Sequence, residues 1–254
     1  MDKCAYLVNS TPKYYYLLPL HFTLVKRYAP GLKMSLFLAT EVPEDPICKH
    51  VESMGVELIP LRKEDAGFLD SRRAALAALV GRFPYVLPMQ EDFLLDRAPD
   101  YEAIEEAITL LKDHVSARLM PCPGPGGPAL ENAPSWSKIT PSDIYSFTFQ
   151  ATLWRTAECS EWYSALCKKL EFEWPMSTTP AEQRIHIEVR GNFAENTEGQ
   201  RFFWKVSKGE HIGWRRAGKW SNAVYLSPWP YRPTAIVGGR LEAWAVELGK
   251  REGI

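Results

Sequence analysis

Short apolar runs alternate with amphipathic segments over the first 120 residues, and each change of period coincides with a turn signal. Ala5-Tyr6-Leu7-Val8 closes in Asn9-Ser10-Thr11-Pro12, so it reads as a strand followed by a loop. A helical pattern runs from about 14 to 28 and stops at Ala29-Pro30-Gly31. Met34-Ser35-Leu36-Phe37-Leu38-Ala39 repeats the strand signal, 45 to 54 reads as a short helix, and Val56-Glu57-Leu58-Ile59-Pro60-Leu61 is a third strand. Asp70 to Val80 has a short acceptor cap and a helix-forming interior. It leads into Tyr85-Val86-Leu87-Pro88-Met89-Gln90-Glu91-Asp92-Phe93-Leu94-Leu95, an apolar run that meets two adjacent carboxylates.

Three βα alternations before a fourth strand predict an α/β fold with right-handed crossovers and a mostly parallel central sheet flanked by helices. That topology brings Asn9, Ser10, Thr40, Glu41, Glu91 and Asp92 to one sheet edge. The segment from 101 to 114 is an amphipathic helix, with Ile104, Ala107, Ile108 and Leu111 on one face, and 116 to 120 resembles another strand.

The second half is harder to partition. Pro121 to Pro128 is a loop, because four prolines interrupt any ladder, and its glycines lack the Lys-Ser/Thr of a phosphate loop. Tyr145 to Trp154 reads as a strand from its aromatic and β-branched content, with a helix from about 157 to 170 behind it. A closing helix is expected over 241 to 250, and there is no internal repeat.

With 254 residues, 46% hydrophobic and 24% charged, the chain can bury a large core. Thirty basic and thirty-one acidic side chains leave a formal charge of −1, so no global field draws it to nucleic acid or anionic lipid. No nucleic-acid partner is therefore expected. Five cysteines without CxxC spacing argue against a disulfide framework or a zinc cluster. No apolar run approaches the ~18 residues of a membrane span, and the beginning lacks a leader pattern, so a cytoplasmic enzyme without a transmembrane segment is expected.

Three constellations carry candidate chemistry. Glu91-Asp92 at a strand end suits a hard divalent cation, although two acids in a solvated turn are the plain alternative. Between Arg201 and Trp220, six basic residues face one acid, with aromatics interleaved. They suit a leaving diphosphate, or else form a basic surface over an aromatic core. Glu171 and Glu173 stand two apart after a helix, hence on one side if extended, and either carboxylate suits a general base. The five histidines show no metal-ligand spacing, and His211, inside the basic stretch, is the one singled out for test.

YVLPMQEDFLL, YSFTFQATLW, LEFEW and RRAGKW, in this order between about residues 5 and 220, resemble the GT-A-type glycosyltransferases of the family 2-like kind. The resemblance implies a single GT-A-like domain over 1–254. Residues 1–120 would bind a nucleotide-sugar donor, and 121–254 would form the acceptor-binding C-terminal portion and lid. Gln90-Glu91-Asp92 departs from the common Asp-x-Asp by its first residue, and Asp92 is the metal ligand carried over, for Mn²⁺ or Mg²⁺. The resemblance further implies that Asn9, Ser10, Thr11, Glu41, Arg72 and Glu91 lie around the donor. Glu173, ahead of Glu171, would be the base that activates a glycan or other hydroxyl acceptor, with inversion. Arg215, Lys219 and Trp220 would cover the diphosphate. Two other readings stay open: a nucleotidyltransferase acting on sugar phosphates, and a non-catalytic carbohydrate-binding protein that uses its tryptophans, all from Trp136 onward.

Overall fold

Period-two patterning of the first strand decides how the molecule is layered. Residues 4–32, 34–65, 67–120, 124–173, 197–215, 227–232 and 234–254 are described by a computed structural model of the chain. In β1 (Cys4–Asn9), Cys4, Tyr6 and Val8 enter one apolar cluster, while Ala5 and Leu7 enter a second on the opposite face. Being apolar on both faces, β1 belongs in the middle of a covered sheet, and it lies there. β2 (Ser35–Thr40), β3 (Glu57–Pro60) and β4 (Tyr85–Gln90) complete a parallel block in the order β3-β2-β1-β4.

The order reverses between β1 and β4, so right-handed crossovers put the connecting helices on opposite faces. α1 (Leu18–Tyr28) and α2 (Pro46–Ser53) supply Leu18, Phe22, Val25, Cys48 and Val51 to the first cluster. α3 (Phe68–Leu79) supplies Leu69, Ala75, Leu76 and Leu79 to the second. Local chemistry sets several boundaries. Asp45 caps α2 by accepting the Ile47 N–H at 2.8 Å, with Pro46 opening the helix. The expected cap at Asp70 is corrected: Gly67, three residues earlier and at φ 134°, takes the cap position, α3 begins at Phe68, and Asp70 falls in the first turn.

After β5 (Leu94–Leu95), α4 (Tyr101–Leu110) and β6 (Ser116–Arg118), the chain forms β7 (Ala129–Leu130), β8 (Ala133–Ile139) and β9 (Thr152–Arg155). The nine-stranded sheet runs β3-β2-β1-β4-β9-β6-β10-β8-β7, with β10 spanning His211–Trp214. β9 is antiparallel to both β4 and β6, whereas β6 and β10 are again parallel. α5 (Thr156–Glu173) and α6 (Thr197–Val206) cover the second face with Trp162, Leu166 and Phe203. β11 (Tyr231–Arg232) pairs with β5, β12 (Ile236–Val237) with β13 (Arg240–Leu241), and α7 (Ala243–Glu252) follows. The result is an α/β architecture in which a mixed nine-stranded sheet is covered by helices on both faces.

The long strand expected over 145–154 is only Thr152–Arg155. Side chains satisfy the preceding backbone instead. Gln200 donates to the Phe147 carbonyl at 2.9 Å and accepts the Phe147 N–H at 2.8 Å, while Arg118 donates to the Tyr145 carbonyl at 2.6 Å. The aromatic content that suggested a strand goes into packing: the Phe147 ring meets Phe149, Trp162 and Phe203. Cys4, Cys48, Cys159 and Cys167 are buried and unbridged. Among the described residues no helix is long and apolar enough to cross a membrane.

Candidate functional site

A strand order that reverses between β1 and β4 leaves a crevice outside their carboxyl ends, where the flanking helices diverge. Register sharpens this: Asn9 pairs with Gln90 and Ala39 with Asn9, so the loops after β1, β2 and β4 leave the sheet at one level. Above them lies a cleft of about 800 Å³, lined by Asn9, Ser10 and Thr11 after β1, Glu41 after β2, and Gln90, Glu91 and Asp92 after β4. Lys63, Glu64, Gly67, Phe68 and Ser71 close one side, and Tyr14 and Ile236 complete the lining.

The expected eleven-residue acidic strand breaks where its acids begin. β4 ends at Gln90, the Phe93 N–H closes a turn onto the Gln90 carbonyl at 3.2 Å, and the chain resumes as β5. The Phe93 ring stacks on Tyr231 at 4.8 Å, which anchors the far side of the turn to β11. That anchoring draws residues 235–236 over the acids. The Ala235 N–H donates to the Asp92 carbonyl at 3.2 Å, and Ile236 lines the cleft beside the acids.

Burial dominates the electrostatics here. It pushes the Glu91 carboxyl up to about 7, and neighbouring Asp92 adds to the rise while Arg72 opposes it. Asp92 is pushed up to about 6 by burial, against the N–H donors that favour its charged form. Glu41 is raised by burial as well. Asn9 is buried, with its amide donating to Ser71 Oγ at 3.4 Å and its Oδ1 without a partner among the described residues. An orphan acceptor of that kind suits a ligand donor.

Other candidate residues lie elsewhere. Arg72 is not a free cation in the cleft: it is buried beneath the acid turn and donates from Nη2 to the Met89 carbonyl at 2.9 Å. Arg215 is exposed in a separate recess with Asp100, Pro134, Ser135 and Trp214, so it does not reach the cleft. The described part of the basic stretch, 201–215, is divided between α6, the loop after it, β10 and Arg215 just beyond, and its rings Phe203 and Trp214 are buried. Lys219 and Trp220 lie outside the described residues. The premise that Glu171 and Glu173 share a side is corrected, because both fall in the last turn of α5, where residues two apart do not face together. Glu171 is exposed, and the side chain at 173 is outside the described part.

His211 is not a surface group. It is buried between Ser116 Oγ at 2.8 Å and Ser207 Oγ at 2.5 Å, and burial pushes it down to about 3. The histidine beside the cleft is His21, which sequence reasoning passed over. Its signal was present: Leu18, His21, Phe22 and Val25 follow the spacing of one buried helix face, which puts a polar ring at a core position.

No family model matches the sequence, and no curated protein is similar to it in sequence. Among solved structures, S. aureus TarS is similar at 15% identity and a TM-score of 0.48, covering 85% of this chain and 36% of TarS. The 4-diphosphocytidyl-2C-methyl-D-erythritol synthase of Anaerococcus prevotii is similar at 11% identity and a TM-score of 0.45, covering 87% and 93%. CMP:2-keto-3-deoxy-manno-octonic acid synthetase, solved with CTP, is similar at 10% and 0.45, covering 85% and 90%. The sheet, with its cleft over the ends of β1, β2 and β4, stands on strand order and register alone.

Proposed function

We propose that the protein is a transferase that takes a nucleotide-diphosphate sugar into this cleft and passes the sugar to an acceptor hydroxyl. The observation that carries the reading is convergence. The loop after β1, the end of β2 and the adjacent carboxylates after β4 line one crevice at the reversal of strand order. Its charge argues for a cation. Among the described residues four acids line the cleft, Glu41, Glu64, Glu91 and Asp92, against one base, Lys63, an excess of negative charge that would repel a bare diphosphate. Among the described residues no group of three His, Cys, Asp or Glu forms a closed metal site. Two adjacent acids instead fit Mg²⁺ or Mn²⁺, whose remaining ligands commonly come from waters and phosphates.

Asp92, with Glu91 beside it, would hold that ion, which when bound neutralises charge on the leaving diphosphate. Asn9, Ser10 and Thr11 would meet the donor through the orphan Asn9 Oδ1 and the loop hydroxyls, and Glu41 would bound its nucleoside end. Transfer by direct displacement, with inversion, needs a base on the acceptor side. Glu173, then Glu171, is assigned that role. α5 starts beside the amino end of β4, where the Thr156 N–H meets the Pro84 carbonyl, and packs against α3, whose Phe68 and Ser71 line the cleft. Lys219 and Trp220 complete the proposal as a cover for the diphosphate.

A thermal-shift panel of UDP-, GDP-, CMP- and dTDP-sugars, with and without Mn²⁺, tests the reading. One donor should raise the melting temperature only with the cation, and chelation should reverse the shift. A chain that ignores every donor would remove the proposal. A nucleotidyltransferase would instead release diphosphate from a nucleoside triphosphate and a sugar phosphate. The lectin-like reading loses its face: none of the seven described tryptophans is exposed, and five are buried.

A further inference from the structure

We infer that His21 and Arg72 form a two-sided clamp on the end of β4, and that His21 is a positioning residue for the turn carrying Glu91 and Asp92. The functional meaning of the clamp rests on the transferase reading, whereas its geometry does not. β4 loses its neighbours by stages. Pairing with β9 covers only Tyr85 and Val86, and pairing with β1 ends at Gln90. Beyond that point, among the described residues, neither acid has a ladder partner.

Two buried side chains take over, one from each layer of helices. From α1, His21 Nδ1 lies 3.0 Å from the Glu91 carbonyl and Nε2 lies 2.9 Å from the Tyr6 hydroxyl. A carbonyl only accepts, so Nδ1 carries the hydrogen and Nε2 of the neutral ring accepts from Tyr6. Tyr6 is fully buried in the central strand and packs on the Trp229 ring at 5.5 Å, so the ring of His21 is held from behind. From α3, Arg72 donates from Nη2 to the Met89 carbonyl at 2.9 Å. His21 and Arg72 are each 1% exposed.

Arg72 is what lifts this above ordinary satisfaction of polar atoms. Among the described residues no carboxylate pairs with its guanidinium, and a buried cation without an ion-pair partner is costly. An apolar residue would fill the space at lower cost. Its charge is instead spent beneath Glu91, whose ionised form it favours. Carbonyls 89 and 91 are thus held from opposite faces, which fixes the backbone on either side of Gln90 and with it the direction in which the acids leave.

The amides of Asn and Gln separate the two bonds of His21, because an Asn nitrogen falls near Nδ1 and a Gln amide near Nε2. Hydrogen exchange over residues 87–95 of the full chain is read for wild type, His21→Asn, His21→Gln and His21→Leu, with global stability from urea unfolding. Mn²⁺ affinity is measured alongside by electron paramagnetic resonance. Exchange in the turn should rise about tenfold or more, relative to the global change, in His21→Gln and His21→Leu, and stay near wild type in His21→Asn. Mn²⁺ affinity should fall in the same order by about 10-fold or more, the scale of lost ligand-orienting contacts. Equal exchange in Asn and Gln variants of matched stability would reduce His21 to a packing residue and overturn the clamp. The predicted exchange pattern in a chain that binds no Mn²⁺ would leave the clamp standing and remove the cation from the functional reading.

Discussion

The acid turn after β4 and the aromatic pocket of His211 both bury titratable groups, but they resolve the cost in opposite ways. His211 is closed on itself: two serine hydroxyls take its nitrogens, and Trp154, Phe203 and Trp204 surround the ring at 4.8 to 5.7 Å. The acids at 91 and 92 line a cleft, raised by burial, while His21 and the Ala235 N–H hold their main-chain carbonyls. A buried polar group with every partner inside the fold serves stability. One held firmly from behind and left open in front is arranged for a ligand.

Substitutions should split the two regions cleanly. Asp92→Asn should cut cation-dependent transfer by about 10² or more, since it removes charge aimed at a diphosphate. A steady-state assay with the donor found in the panel checks it, and unchanged turnover would remove Asp92 from the mechanism. His211→Leu should do the reverse. It strands two serine hydroxyls and costs roughly 2–4 kcal/mol of stability in urea, with Mn²⁺ affinity unchanged. A loss of affinity there would erase the contrast between the regions.

The pH dependence sharpens the contrast by its sign. His21 is lowered to about 4 and His211 to about 3, both mainly by burial, from an ordinary 6.5. The unfolded chain therefore takes up protons that the folded chain refuses. The histidines contribute stability present above pH 6.5 and lost as pH falls toward 3–4. Glu91 and Asp92, raised from 4.5 and 3.8 to about 7 and about 6, behave oppositely. Their contribution is favourable at low pH and lost as pH rises through 6 to 7. Glu91→Gln and Asp92→Asn should therefore stabilise the cation-free chain by about 1–3 kcal/mol at pH 8, after allowance for partial solvent access. The gain should vanish near pH 4, and an equal gain at both values would refute the burial account. The smallest effect belongs to Arg215→Ala: within about 0.5 kcal/mol in stability and no change in donor affinity, because the residue is exposed and away from the cleft.

The first 120 residues were legible because period, turn residues and topology agreed. A strand apolar on both faces, a cap and proline at Asp45-Pro46, and alternating helices lead to one parallel block, and that block alone puts Asn9, Glu41 and Asp92 at one edge. The segment around Phe147 misled, because aromatic content reports burial as readily as strand geometry, and the partner that completes its backbone, Gln200, is 53 residues away. Glu171 and Glu173 misled through an assumed extended chain where the helix continues to its last turn. Arg72 and His21 act on main-chain carbonyls, a role without a sequence motif, and only the helix spacing of His21 pointed inward.

The central claim is that the carboxylate at 92 binds a cation shared with a nucleotide diphosphate, and one titration addresses it directly. The wild-type chain and Asp92→Asn are titrated with Mn²⁺ by calorimetry at pH 8, each with and without the nucleoside diphosphate of the donor found in the panel. The account predicts that wild type binds the pair more tightly together than either alone, and that Asp92→Asn loses this cooperation while keeping its fold. Identical isotherms for the two chains would contradict it.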